Sequence, residues 1–280
     1  NLQDFLDLYY QGMSVLLHEI DFYDLTMAYL EKVHSENVVH VEIFFDPQGH
    51  LSRGVSFDVQ IQGIYNALQH AEKKWGMTSK LIMSFLRHLS EESAFETLEL
   101  AKPHLKLIDG IGLDSSEVGH PPEKFLRVFE ACKNLGLRVT AHAGEEGPPE
   151  YVWQAIEQIG VDRIDHGNRA LEDDKLIAAI KQRNLTLTVC PLSNLKLCVV
   201  NDMKDHPIRS MLKLGLNATV NSDDPAYFGG YMNDNYASLI NRTGISKEEL
   251  FQLAKNGITG SWMAEHTKES HLKQLHALFA

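Results

Sequence analysis

Seven short apolar runs, each followed by a helical pattern, limit the folds open to this chain. The runs cover 38–45, 81–86, 108–113, 138–143, 163–166, 185–190 and 217–221. They are rich in Val, Ile, Leu and Thr, and several are apolar on both faces, as parallel strands covered on both sides are. The stretches between them, such as 121–135, 150–159 and 171–183, are long enough to be crossover helices. Pro121-Pro122 and Pro148-Pro149 stand where two of those helices begin, a position that tolerates the missing N–H. Ahead of the first run, Leu2, Phe5, Leu6, Leu8 and Tyr9 recur at near-helical spacing, and 22–33 repeats the pattern.

Such alternation closes into a barrel or opens into a doubly wound sheet. The polar residues decide between the two. Asp46, Arg87, His88, Asp114, Glu117, His142, Glu145, His166, Ser193, Asn194, Asp223 and Asp224 all fall at or just past the ends of these runs. An open sheet gathers its ligand at one switch point. A barrel gathers residues from most of its strand ends. The expected fold is therefore an α/β (β/α)8 TIM-type barrel, forming one domain over residues 1–280. Seven strands are one short of eight, and the helical preamble places the absent strand before residue 1.

Composition narrows the partners. A formal net charge of −12 argues against nucleic acid or an anionic membrane, and no apolar run approaches the ~20 residues needed to cross a bilayer. Three widely spaced cysteines, Cys132, Cys190 and Cys198, make neither a disulfide framework nor a zinc cluster. A reducing cytoplasm is the simplest setting. Fourteen histidines justify a search for metal ligands.

Three segments carry chemistry. In Thr140-Ala-His142-Ala-Gly-Glu145, an imidazole and a carboxyl share one strand mouth. The alternative is a buried His bonded to a neighbour and a Glu that heads the next helix. In Asn221-Ser-Asp223-Asp224-Pro225, two adjacent carboxylates repel unless a cation or strong donors hold them. The alternative is an Asx turn or helix cap before Pro225. In Arg163-Ile-Asp-His166-Gly167, the His is a general base, a metal ligand or a satisfied strand end. Taken together, His142, His166 and Asp223 lie at the same end of three strands. Imidazole and carboxylate suit Zn²⁺ or another divalent ion.

These segments resemble those of the adenosine/adenine deaminases of the amidohydrolase superfamily, over essentially the whole chain. Three further stretches are more similar to the adenine branch: His40-Val-Glu-Ile-Phe-Phe-Asp46-Pro-Gln48, Gly112-Leu-Asp-Ser-Ser-Glu117 and Asp224-Pro-Ala-Tyr-Phe-Gly-Gly-Tyr231. The resemblance implies zinc-dependent deamination of adenine to hypoxanthine and ammonia, in purine salvage, with one zinc ion per subunit. It implies that His142 and Asp223 are zinc ligands, that Glu145 protonates ring N1, and that His166 orients or deprotonates the attacking water. Asp224 would share a hydrogen bond at N7. On chemical grounds, Glu117 is expected to accept the N–H that free adenine offers at N9 or N3, unless it only caps the turn before Pro121. The partner is a small purine base, and a homo-oligomer is compatible with the sequence.

The family's first strand carries a His-x-His pair that supplies two more ligands, and no His-x-His occurs here. A catalytic zinc usually has three protein ligands, so weak metal binding and little activity are expected of the chain as it stands. Two alternatives follow: an adenosine or N6-substituted adenine deaminase, and a metal-free barrel that serves as a binding protein.

Overall fold

A computed structural model describes residues 1–279. They form two compact units. One holds Leu2–Ala141 with Glu157–Val161; the other holds His142–Ile156 and the residues from Asp162 on.

All seven apolar runs are strands: β1 (His40–Phe45), β2 (Thr78–Leu86), β3 (Gly110–Asp114), β4 (Arg138–Ala143), β5 (Arg163–His166), β6 (Thr186–Val189) and β7 (Asn217–Val220). In the first unit β1 pairs in parallel with β2, β2 with β3, and β3 with the start of β4. The registers Phe45↔Met83 and Leu86↔Asp114 bring the ends of β1, β2 and β3 level. In the second unit β5 pairs with β6 and β6 with β7, again in parallel.

The two groups of strands have different faces. Leu81 to Leu86 are buried without interruption, as expected of a strand covered on both sides. Side chains alternate across β5, β6 and β7 instead. Ile164, Leu187, Val189, Ala218 and Val220 are buried on one face. The other face reads Arg163, Asp165, Thr186, Thr188, Asn217 and Thr219. A polar face on a buried sheet needs internal partners, and that face adjoins the chemistry described below.

Helices supply the cover. In the first unit, helix Phe57–Trp75 packs on helix Glu19–Ser35 through Ile61, Ile64, Ala67 and Leu68 against Phe22, Leu30 and Val33, all buried. Each fully buried aliphatic side chain contributes roughly 1.5–3 kcal/mol. Gly63 permits the close approach, because a Cβ there would collide with the Glu19 carbonyl oxygen and lie 2.8 Å from the Phe22 Cβ. In the second unit, helix Asp174–Gln182 is capped by the Asp173 carboxylate, which accepts from the Lys175 and Leu176 amides. The helix expected over 150–159 is Pro149–Gln154, widening into one π turn over Ala155–Ile159. The one expected over 121–135 opens as a 3-10 turn, Pro122–Phe125, before Leu126–Asn134. Among the described residues, no helix is long and apolar enough to cross a membrane.

Candidate active site

In the second unit the strand ends converge. His142 is the penultimate residue of β4, His166 ends β5, Cys190 follows β6 directly, and Asp223 lies three residues past β7. The rings of His142 and His166 meet edge to face, with centroids 4.9 Å apart. His166 Nδ1 lies 3.6 Å from Glu145 Oε1. One nitrogen of His166, Cys190 Sγ and a carboxylate oxygen of Asp223 all lie within 4.8 Å of one another. His142, Glu145, His166 and Asp223 are thus gathered around a single imidazole.

Local backbone geometry sets these positions. Gly144 lets the chain turn at φ 74°, where a Cβ would lie 2.6 Å from Val152 Cγ2. The turn is tied to the loop after β5 by Gly167 N to Ala143 O at 3.1 Å and Arg169 N to Gly144 O at 2.9 Å. Arg169 Nη1 donates to the Glu146 carbonyl at 2.9 Å. Glu145 is held between these contacts and is 4% exposed. His166 and Asp223 both adopt left-handed backbone, at φ 66° and 55°. Such non-glycine conformations cost of order 1–3 kcal/mol each and persist where the surroundings impose them.

Asp224 stands at the N-cap position of helix Pro225–Phe228, yet its side chain makes no capping bond. The capping alternative for this carboxylate therefore does not describe it. Asp165 and Cys190 belong to the site and were not singled out in the sequence. Asp165 Oδ2 lies 4.0 Å from His142 Nε2. The Cys190 thiol donates to the Thr188 carbonyl at 3.4 Å. Burial, followed by the charges of Asp223, Glu145, Asp165 and Asp224, pushes this thiol well above its usual range. It is a neutral thiol unless a cation offsets those carboxylates. None of the three cysteines forms a disulfide. A rule that every strand end is a candidate position would have found Cys190, whereas a search for cysteine motifs does not.

In the first unit, the ends of β1, β2 and β3 form a second polar cluster. Arg87 is fully buried, and its Nε donates to the His120 carbonyl at 2.8 Å. Ser115, at φ 73°, lies 2.8 Å from the Tyr10 hydroxyl and 2.9 Å from His88 Nδ1. Glu117 is 1% exposed, in a turn closed by the His120 amide on its carbonyl. Burial and the adjoining Asp46 carboxylate, opposed by Ser84 and Arg87, push the Asp114 carboxyl well above the usual range. Asp114 therefore holds its proton where an ordinary carboxyl would lose it.

That proton has a consequence for stability. Above pH 3.8, the ordinary carboxylate value, the folded chain retains a proton that the unfolded chain releases. Stability then falls as pH rises from there through the folded pKa, by about 1.4 kcal/mol for each pH unit in that window. Asp114→Asn mimics the protonated acid. Urea midpoints across a pH series are expected to decline less steeply above pH 4 for this variant than for the native chain. Parallel profiles would show that Asp114 is ionised in the fold.

A family model described as adenosine deaminase matches residues 1–278. An adenine deaminase from Marinomonas sp. is 93% identical over 280 residues, all of this chain and 84% of its own length. One from Caulobacter vibrioides is 56% identical over 280 residues, 81% of its own length. Among solved structures, an adenine deaminase from Arthrobacter aurescens superposes with a TM-score of 0.97 at 46% identity. It covers 99% of this chain and 85% of that one. An amidohydrolase from Burkholderia ambifaria with bound zinc superposes at 0.89 with 28% identity, over 94% of this chain and 74% of that one. The seven parallel strands with their helices are those of the α/β TIM-barrel fold of these proteins.

Proposed function

Because the chain belongs to the adenosine deaminase family, hydrolases acting on carbon–nitrogen bonds, we propose that it converts adenine and water to hypoxanthine and ammonia. The single observation that carries this reading is the grouping of Glu145, His166, His142 and Asp223 within the second unit. Adenine is favoured over adenosine because the relatives at 93% and 56% identity, and the solved structure at 46%, bear the name adenine deaminase. We take residues 1–280 as one domain, since the family model runs through both units. The setting we infer is purine salvage in the cytoplasm.

The donor set fits one zinc ion per subunit. Nitrogen, sulfur and carboxylate oxygen donors within 4.8 Å of one another suit a borderline divalent ion, and the Burkholderia relative carries zinc. Of that set Asp223 would hold it, together with His142, whose ring meets that of His166 with centroids 4.9 Å apart. When bound, such an ion makes water acidic enough to lose a proton near neutral pH.

The chain's own residues do the rest. Glu145, almost fully buried, holds a proton at ring N1 and delivers it as C6 becomes tetrahedral. His166, 3.6 Å from Glu145, orients the attacking water and takes its proton. Asp224 shares a hydrogen bond at N7 and so fixes the ring.

The test is ammonia release from adenine, adenosine and N6-methyladenine by zinc-loaded protein, with the kcat/KM ratio as readout. Adenine is expected to react fastest. No ammonia from adenine removes the reading itself, and faster release from adenosine or N6-methyladenine replaces it with that activity.

A further inference from the structure

The polar face of β5, β6 and β7 is ordered in rows. Cross-strand neighbours Arg163, Thr186 and Asn217 form one, and Asp165, Thr188 and Thr219 form the next. Asp165 is 3% exposed. A carboxylate so buried is costly unless donors surround it. Its Oδ1 accepts from Thr188 Oγ1 at 2.8 Å and faces Arg163 Nε at 3.6 Å. Arg163 is itself 4% exposed, and its guanidinium lies over the Trp262 ring, 4.4 Å from the centroid. One hydrogen bond, from Thr188, and one ion pair, with Arg163, thus hold one oxygen of Asp165. The other, Oδ2, points at His142 Nε2 from 4.0 Å.

We propose that Asp165 is a positioning residue for His142: anchored by Thr188 and by the Arg163–Trp262 pair, it sets the orientation of the imidazole that would ligate the metal. The inference rests on the reading of His142 as a ligand. At 4.0 Å the contact is longer than a hydrogen bond, so the coupling is electrostatic. It strengthens when an imidazole gains positive character by binding a cation, the relation in which carboxylate partners tune metal-bound histidines. A purely architectural Asp165 gains nothing from facing His142.

Zinc affinity, measured by competition with a chromogenic chelator, separates these roles. Asp165→Asn keeps an oxygen for Thr188 and loses the charge. It is expected to bind zinc about 10–100-fold more weakly, with little change in the urea midpoint of chelator-treated protein. His142→Ala is the control, and Asp165→Asn should add no further loss in its background. If His142→Ala binds zinc as the native chain does, the ligand reading fails and takes the proposal with it. If His142→Ala weakens zinc while Asp165→Asn does not, the positioning role alone fails. Should Asp165→Asn not fold, Thr188→Val loosens the same carboxylate. It should weaken zinc binding by about 2–10-fold, a fraction of the worth of a hydrogen bond to a charged group, and native affinity in that variant overturns the proposal.

Discussion

Glu145→Gln is expected to lower kcat for adenine by about 10²–10⁴-fold, the usual worth of a positioned general acid, while leaving the zinc content unchanged. That loss corresponds to about 2.7–5.5 kcal/mol of transition-state stabilisation. The glutamine side chain has the same shape and can still meet His166 across the 3.6 Å that separates that ring from Glu145. What it lacks is a proton to give. The loop that presents Glu145 is braced by backbone bonds from Gly167 and Arg169, so the substitution should not displace it. Steady-state ammonia release with metal analysis of the same sample tests this. A variant that keeps more than about a tenth of kcat, well short of the loss expected for a general acid, shows that the proton comes from another group. A variant that also loses zinc shows that Glu145 acts on the metal site instead.

The strands and their order were readable because the pattern that reveals them is the force that forms them. A stretch such as Leu81 to Leu86, apolar but for Ser84, has few places to go but a sheet covered on both sides. The grouping of His142, Glu145, His166 and Asp223 was readable because strand ends on one side of a parallel sheet share a mouth. Other features left little trace. Thr186, Thr188 and Thr219 favour strands whichever face they occupy, so the polar face of β5, β6 and β7 passed as ordinary strand sequence. Asp165 was overshadowed by the histidine beside it, and its partners Arg163, Thr188 and Trp262 lie on separate elements. Cys190 belongs to no cysteine pattern, and its place near His166 and Asp223 comes from strand register alone. The left-handed backbone of His166 and Asp223 could not be foreseen, since glycine or asparagine is the usual mark of that conformation.

That strain at Asp223 makes the second large effect separable from folding. Asp223→Gly is expected to abolish zinc binding and adenine deamination while the zinc-free protein folds about as well as the native chain. Aspartate at φ 55° occupies a conformation that costs an L side chain of order 1–3 kcal/mol, whereas glycine adopts it freely. The greater freedom of glycine in the unfolded chain opposes that relief by about 0.4–1 kcal/mol, so the relief at least matches the cost and folding is not impaired. Removing the carboxylate leaves His142, His166 and Cys190, a set without the anionic oxygen and with a thiol that its surroundings hold protonated. Zinc per subunit should fall well below one after dialysis, and ammonia release should drop to background, with the urea midpoint in chelator little changed. Native rates from Asp223→Gly would show that the last strand supplies no ligand and that the site works without the cation assigned to it.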